Sequence, residues 1–115
     1  MKVGVDGIHV SNVGGRSKDS SRDAIECLPE IARVARGKLP IHFDSSIRRG
    51  TDIAKALALG ASAVCIGRPY LWRWEPSDSP ASKRVLEILR EELAGVMQLG
   101  APGIADLVPG MVIKG

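Results

Sequence analysis

The sequence predicts an α/β fold of parallel strands joined by helices, and two observations carry that reading. Short apolar runs at residues 3–12, 41–44 and 61–66 are separated by helix-length segments, giving the order strand, helix, strand, helix, strand with right-handed crossovers. The second and third runs each end in a polar turn that carries an arginine, Arg48 in one and Arg68 in the other. Parallel strands place both turns at one edge of the sheet. Backbone amides of Gly- and Ser-rich turns, joined by guanidinium groups that fork onto oxygen, are the chemistry a dianionic phosphate requires.

In the first run Ile8 and Val10 are apolar and β-branched, and Ser11-Asn12 closes it before the glycine pair of Gly14-Gly15-Arg16. Residues 17–23 are polar and read as an exposed loop, followed by a short helical turn over 23–28. Pro29 suits a first helical position, so a helix is expected over 29–36 with Ile31, Ala32 and Ala35 buried and Gly37 as its stop. After Ile41-His42-Phe43-Asp44, Thr51 is read as the cap of a helix over 53–59, with Asp52 in its first turn and Gly60 ending it. The nearly continuous apolar run at 61–66 reads as a strand buried on both faces, terminated by Gly67-Arg68-Pro69. Trp72 to Pro80 is expected to be loop, with Trp72 and Trp74 as packing anchors. An amphipathic helix follows over 82–99, its stripe formed by Val85, Ile88, Leu89, Leu93, Val96 and Met97, and Gly100 closes it. Residues 104–112 are expected to pack as an extended segment.

At 115 residues the chain is one domain by length, or a piece of one. The net charge of +3 is modest, and the arginines are scattered without interleaved aromatics, so nucleic acid is not an expected partner. Two cysteines, Cys27 and Cys65, show neither metal-ligand spacing nor a disulfide framework, and Cys65 reads as a small core residue. No membrane-length or signal-like segment is legible, and a soluble, cytoplasmic, reducing setting is expected.

Several motifs in order then carry a resemblance: Gly7-Ile8-His9-Val10-Ser11-Asn12, Val13-Gly14-Gly15-Arg16, Leu28-Pro29-Glu30, Asp44-Ser45-Ser46-Ile47-Arg48-Arg49-Gly50-Thr51-Asp52-Ile53, Lys55-Ala56-Leu57-Ala58-Leu59-Gly60-Ala61 and Ile66-Gly67-Arg68-Pro69. Over nearly its whole length the chain resembles the FMN-dependent α-hydroxy acid dehydrogenases, such as glycolate oxidase, lactate oxidase and the flavin domain of flavocytochrome b2. The resemblance implies that residues 1–115 form the C-terminal three strand-helix units of an FMN-binding TIM (β/α)8 barrel, where the loops after the last two strands commonly hold phosphate. By the same resemblance Asp44, Ser45, Ser46, Ile47 and Arg48 form one FMN phosphate turn, and Gly67 with Arg68 form the second. Arg16 stands where the family pairs an arginine with the carboxylate of a small 2-hydroxy acid. A guanidinium meets a planar carboxylate with two parallel hydrogen bonds, which agrees.

The departures bear on chemistry. The family's histidine base, within Ser-Asn-His-Gly-Gly-Arg, is replaced here by Val13, which cannot accept a proton. His9 lies about 13 Å deeper along the same strand, and His42 reads as a buried or partly buried structural histidine. Ser46 replaces the second glycine of the family's commonest Asp-Gly-Gly turn, a strained choice if the position needs positive φ. Upstream strands, with the family's flavin-contacting lysine and active-site tyrosines, are not in this sequence.

Among other charges, Arg48 could pair with Asp44 or Asp52, Arg49 reads as solvated, and Lys83, Arg84, Glu87, Glu91 and Glu92 read as the wet face of the last helix. Three functional readings follow. The first is a divergent or truncated segment of a 2-hydroxy acid oxidoreductase, inactive alone and prone to self-association through uncovered apolar surface and unpaired strand edges. The second is a non-catalytic half-barrel that binds FMN or another phosphate, or pairs with a second barrel fragment. The third is a piece of another phosphate-binding barrel, such as an inosine monophosphate dehydrogenase or a type 2 isopentenyl diphosphate isomerase.

Overall fold

The computed structural model describes residues 4–16, 22–71 and 80–113. Its centre is a three-stranded parallel sheet in the order β1-β2-β3, formed by Ile8–Val10, Ile41–Phe43 and Ala63–Val64. Register pairs Ile8 with Ile41, His9 with His42 and Val10 with Phe43, then His42 with Ala63 and Phe43 with Val64. Successive strand residues face opposite sides. One face therefore carries Val10, Ile41 and Phe43, which are buried in a cluster with Leu28, Ala35, Ile47 and Ala56. The other face carries His9 and His42, both exposed.

Helix α1, Ala24–Ala35, connects β1 to β2, and α2, Gly50–Ala58, connects β2 to β3. The short α3, Arg68–Leu71, follows β3, and the long α4 is Pro80–Met97. The helix expected from Pro29 thus begins five residues earlier and runs through the proline. Proline removes one backbone donor, but Pro29 lies on the exposed side, while Ala24, Leu28, Ile31 and Ala35 continue one inward stripe across it. The helix ends at Arg36, which takes the left-handed conformation (φ 49°) beside Gly37 (φ 70°).

The start of α2 is also corrected. Arg49 precedes its first turn, not Thr51, and the Asp52 carboxylate reaches back to accept the amides of both Arg48 and Arg49 at 2.9 Å. A carboxylate in a first turn satisfies orphan donors and is favoured by the helix dipole. Helix α4 packs on α2 through a close approach at Gly50, whose amide donates to Glu92 Oε2 at 2.7 Å. Glu92 also pairs with Arg49 at 2.9 Å; Arg49 stays largely exposed, as the sequence suggests, whereas Glu92 is partly covered and does not lie simply on the wet face. Lys83, Arg84, Glu87 and Glu91 do form an exposed ion-pair ladder along α4.

The tail is not extended. It forms two single-turn 3-10 helices, Ile104–Asp106 and Pro109–Met111. Trp72 and Trp74, with the rest of the expected loop up to Ser79, lie outside the described residues, as do residues 17–21. Among the described residues no helix is long and apolar enough to cross a membrane.

Candidate functional site

Because the three strands are parallel, the turns that follow them open at one edge. They surround a cleft of about 410 Å³ lined by Ser11, Val13, Gly14, Arg16 after β1, by Asp44, Ser45, Ser46, Ile47, Arg48 after β2, and by Cys65, Gly67, Arg68, Leu71. All eight site residues expected from the sequence, Arg16, Asp44, Ser45, Ser46, Ile47, Arg48, Gly67 and Arg68, are brought together there, with Val13 beside them.

The turn after β2 has unusual backbone geometry for its residues. Ser45 and Ser46 both take positive φ, 126° and 57°. Glycine adopts such angles freely, whereas a side chain at each costs about 1 kcal/mol or more. The condition set by the sequence reading is therefore met, since Ser46 occupies a position that favours glycine. Among the described residues, no acceptor is bonded to the amides of Ser46 or Ile47 at the head of this turn. The Ile47 side chain points the other way, only 4% exposed in the core, which leaves its backbone for the cleft. Arg48 Nη1 donates to the Ile47 carbonyl at 2.9 Å.

From the other strands, Arg68 Nη2 lies 3.5 Å from the Gly14 carbonyl and Arg16 Nε 3.5 Å from the Val13 carbonyl, both exposed to the cleft. Nothing lies within 4 Å of a side chain built at Gly67, so that turn is open. Three guanidinium groups from three successive strand ends thus face one space. Such an arrangement suits a ligand with a phosphate and a further anionic group.

Two sequence readings are overturned at this edge. Cys65 is exposed and lines the cleft instead of filling the core. An apolar run does not reveal which faces are covered; here Val64 and Ile66 pack on the core cluster, and Cys65 points away from them. His42 is exposed for the same reason, its ring edge-on to His9 at 6.5 Å. His9 is engaged locally, with Nε2 at 3.0 Å from Asp44 Oδ2.

Ser11 and Asn12, expected to close the first apolar run, also build the turn that follows it. Ser11 Oγ accepts the Val13 amide and Asn12 Oδ1 the Gly14 amide, each at 2.9 Å. Side chains of this type closing onto amides two residues on are the ordinary signal of a polar turn. Asp44 is shared between turns. Partial burial opposes its ionisation, but hydrogen bonds from Ser11, His9 and Ser45, with the positive charge of His9, outweigh that and hold its carboxyl below the usual 3.8. A depressed folded-state value adds stability above the unfolded value and loses it as pH falls through the folded one. Asp44→Asn is therefore expected to flatten the acid limb of thermal stability, on the acid side of the ordinary carboxylate range. Midpoints of the variant that fall as steeply with acid as those of the parent count against this pairing.

An α/β protein whose parallel strands end in an anion-suited, arginine-lined cleft is the class that fold and site define. A family model described as FMN-dependent dehydrogenase matches residues 1–114. The chain belongs to that FMN-dependent family. A 2-hydroxyacid oxidase of Dictyostelium discoideum is 47% identical over 108 residues, covering 93% of this chain and 28% of the relative. A peroxisomal (S)-2-hydroxyacid oxidase of Arabidopsis thaliana is 45% identical, covering 93% of this chain and 30% of the relative. Among solved structures, a flavocytochrome b2 variant with pyruvate bound matches at TM-score 0.85 and 41% identity, over 92% of this chain and 28% of that one. A mandelate oxidase variant with the C4a-OH-FMN adduct matches at TM-score 0.83 and 38% identity, over 90% and 32%. The chain therefore spans about 30% of the length of the curated relatives it matches.

Proposed function

We propose that this chain is the phosphate-gripping part of an FMN-dependent enzyme that oxidises a small 2-hydroxy acid to the 2-oxo acid. Residues 1–115 correspond, in this reading, to the last three strand-helix units of the barrel. FMN, when bound, supplies the acceptor for the two electrons of that oxidation. The residues fit its phosphate end: amides of Ser46 and Ile47 at the head of a positive-φ turn, the open Gly67 turn, and the guanidinium groups of Arg48 and Arg68. Arg16, on the same cleft, is proposed to hold the substrate carboxylate. Relatives named for glycolate and mandelate point to the substrate class.

The observation that carries the proposal is the convergence of Arg16, Arg48 and Arg68 from three separate strand ends onto one cleft. Val13 gives this piece no proton acceptor at the position of the family's base, so it is proposed to be catalytically silent as it stands. Its outer strand edges, on β1 and β3, carry no partner strand among the described residues. Leu99 and Ile113 are about nine-tenths exposed, at 88% and 90%. Upstream barrel strands are the proposed partner of that surface, with self-association as the outcome in their absence. Free thiols at Cys27 and Cys65 fit a reducing compartment, and the cytoplasm is the proposed one.

The test is a titration of the purified chain with FMN, followed by quenching of flavin fluorescence. Saturable binding in the micromolar range is expected, weakened about 10- to 100-fold by Arg48→Ala, since a charge-assisted hydrogen bond contributes roughly 1.5–3 kcal/mol. A folded chain that leaves flavin fluorescence untouched overturns the phosphate assignment.

A further inference from the structure

Ser45 sits at φ 126°, where a side chain is strained and a glycine is not. Its hydroxyl is nonetheless placed with care. It accepts the backbone amide of Asn12 at 2.9 Å and lies 2.9 Å from Asn12 Oδ1, to which it donates. Asp44 Oδ1, at 3.2 Å, is the alternative acceptor for the single hydroxyl proton. Asn12 is in turn the base of the turn after β1: its Oδ1 holds the Gly14 amide and its carbonyl accepts the Gly15 amide, both at 2.9 Å. That turn carries Val13 and Arg16. The two turns lie 33 residues apart in sequence, and the hydroxyl joins them.

We propose that Ser45 is a positioning residue: its hydroxyl locks the turn that carries Arg16 onto the phosphate turn, so that an anion seated on the latter orders the former. The coupling, though not the lock, rests on the phosphate reading given above. Its logic is mechanical. An anion gripped by Ser46, Ile47 and Arg48 fixes the backbone on which the Ser45 Oγ stands, and through Asn12 it fixes the amide of Gly14. Arg68 closes the loop from the third strand, reaching the Gly14 carbonyl. A glycine at position 45 relieves the strain but removes both of these links, leaving the Ser11–Asp44 and Arg68–Gly14 contacts as the weaker tie between the two turns. A strained serine retained where glycine fits is thus accounted for by what its hydroxyl holds.

Amide hydrogen exchange on the labelled full chain tests this, with Ser45→Ala as the variant because alanine keeps the Cβ at the same φ. The Asn12 and Gly14 amides are expected to exchange about tenfold faster, as for the loss of one net hydrogen bond. Gly14 is the informative probe, since its own acceptor is Asn12 and not Ser45. The Cys65 amide, bonded to the Phe43 carbonyl at 2.8 Å, is expected to stay unchanged. Inorganic phosphate is expected to slow Gly14 exchange in the parent and not in Ser45→Ala. Should Ser45→Ala not fold, Asn12→Ala removes the side-chain half of the link, the Oδ1 acceptor, from the other side and is expected to shift the Ser46 and Arg48 amide resonances. Unmoved resonances there, unaltered Gly14 exchange in Ser45→Ala, or acceleration of every amide together overturns the lock. If phosphate leaves the parent unaffected while the exchange difference persists, the phosphate reading and the coupling fall and the lock stands. If phosphate binds but the exchange difference is missing, the phosphate reading stands and the lock falls, and the coupling with it.

Discussion

Gly50→Ala is expected to cost about 3 kcal/mol or more of folding stability, read as a fall in the urea midpoint. Gly50 opens α2 at the point where that helix meets α4. A Cβ there falls inside contact distance of the backbone of Glu92 and Leu93. Backbone atoms in the middle of an 18-residue helix cannot yield as a flexible side-chain tip can. The same approach carries two polar links, from the Gly50 amide to Glu92 and from Arg49 to Glu92, so displacing α4 breaks both. Gly95, also within α4, is the control. Nothing lies within 4 Å of a Cβ built on it. Gly95→Ala is expected to stabilise the helix by roughly 0.5–1 kcal/mol, because alanine loses less backbone entropy on folding. Equal effects of the two changes remove the packing argument.

Gly50 also marks where sequence reading stops. Its neighbours spell a helix start, and nothing local says that a second helix passes over it 42 residues later. The Arg49–Glu92 pair and the Ser45–Asn12 link were out of reach for the same reason, since long-range partners are chosen by packing. The strands and their carboxyl-end turns were legible because each couples a short apolar run to turn chemistry, and parallel pairing follows from the helix between them. Where two local rules competed, the longer pattern won. Pro29 suggested a helix start, but the apolar stripe from Ala24 to Ala35 runs through it. His42 and Cys65 illustrate a third limit. The alternation Ile41-His42-Phe43 does announce a polar face, but a burial guess for His42 needs to know whether that face is covered, and here it is open. The tail failed for want of pattern. Its glycines and prolines permit single turns as readily as extended chain, and two such turns form.

Val13→His is expected to act twice. Val13 takes φ 54°, a left-handed conformation that is poor for a β-branched residue and better tolerated by histidine. The change should therefore stabilise the folded chain, by a few tenths to about 1 kcal/mol in thermal or urea unfolding. The second effect is chemical. Val13 lines the cleft beside Arg16 and is 54% exposed, so an imidazole there has open space next to the group proposed to hold a carboxylate. In the chain joined to the upstream strands of a relative's barrel and loaded with FMN, a positioned general base should raise the rate of 2-hydroxy acid oxidation by roughly 10²–10⁴. Anaerobic loss of flavin absorbance on adding glycolate or mandelate reads that rate directly. His9 offers no substitute in the parent, because its Nε2 is committed to Asp44. The two effects separate cleanly: tighter folding without faster oxidation, in a protein that still holds FMN, means that the valine does not account for the silence proposed for this site. The dehydrogenase reading of this cleft would then lose its chemical half while its phosphate grip stood.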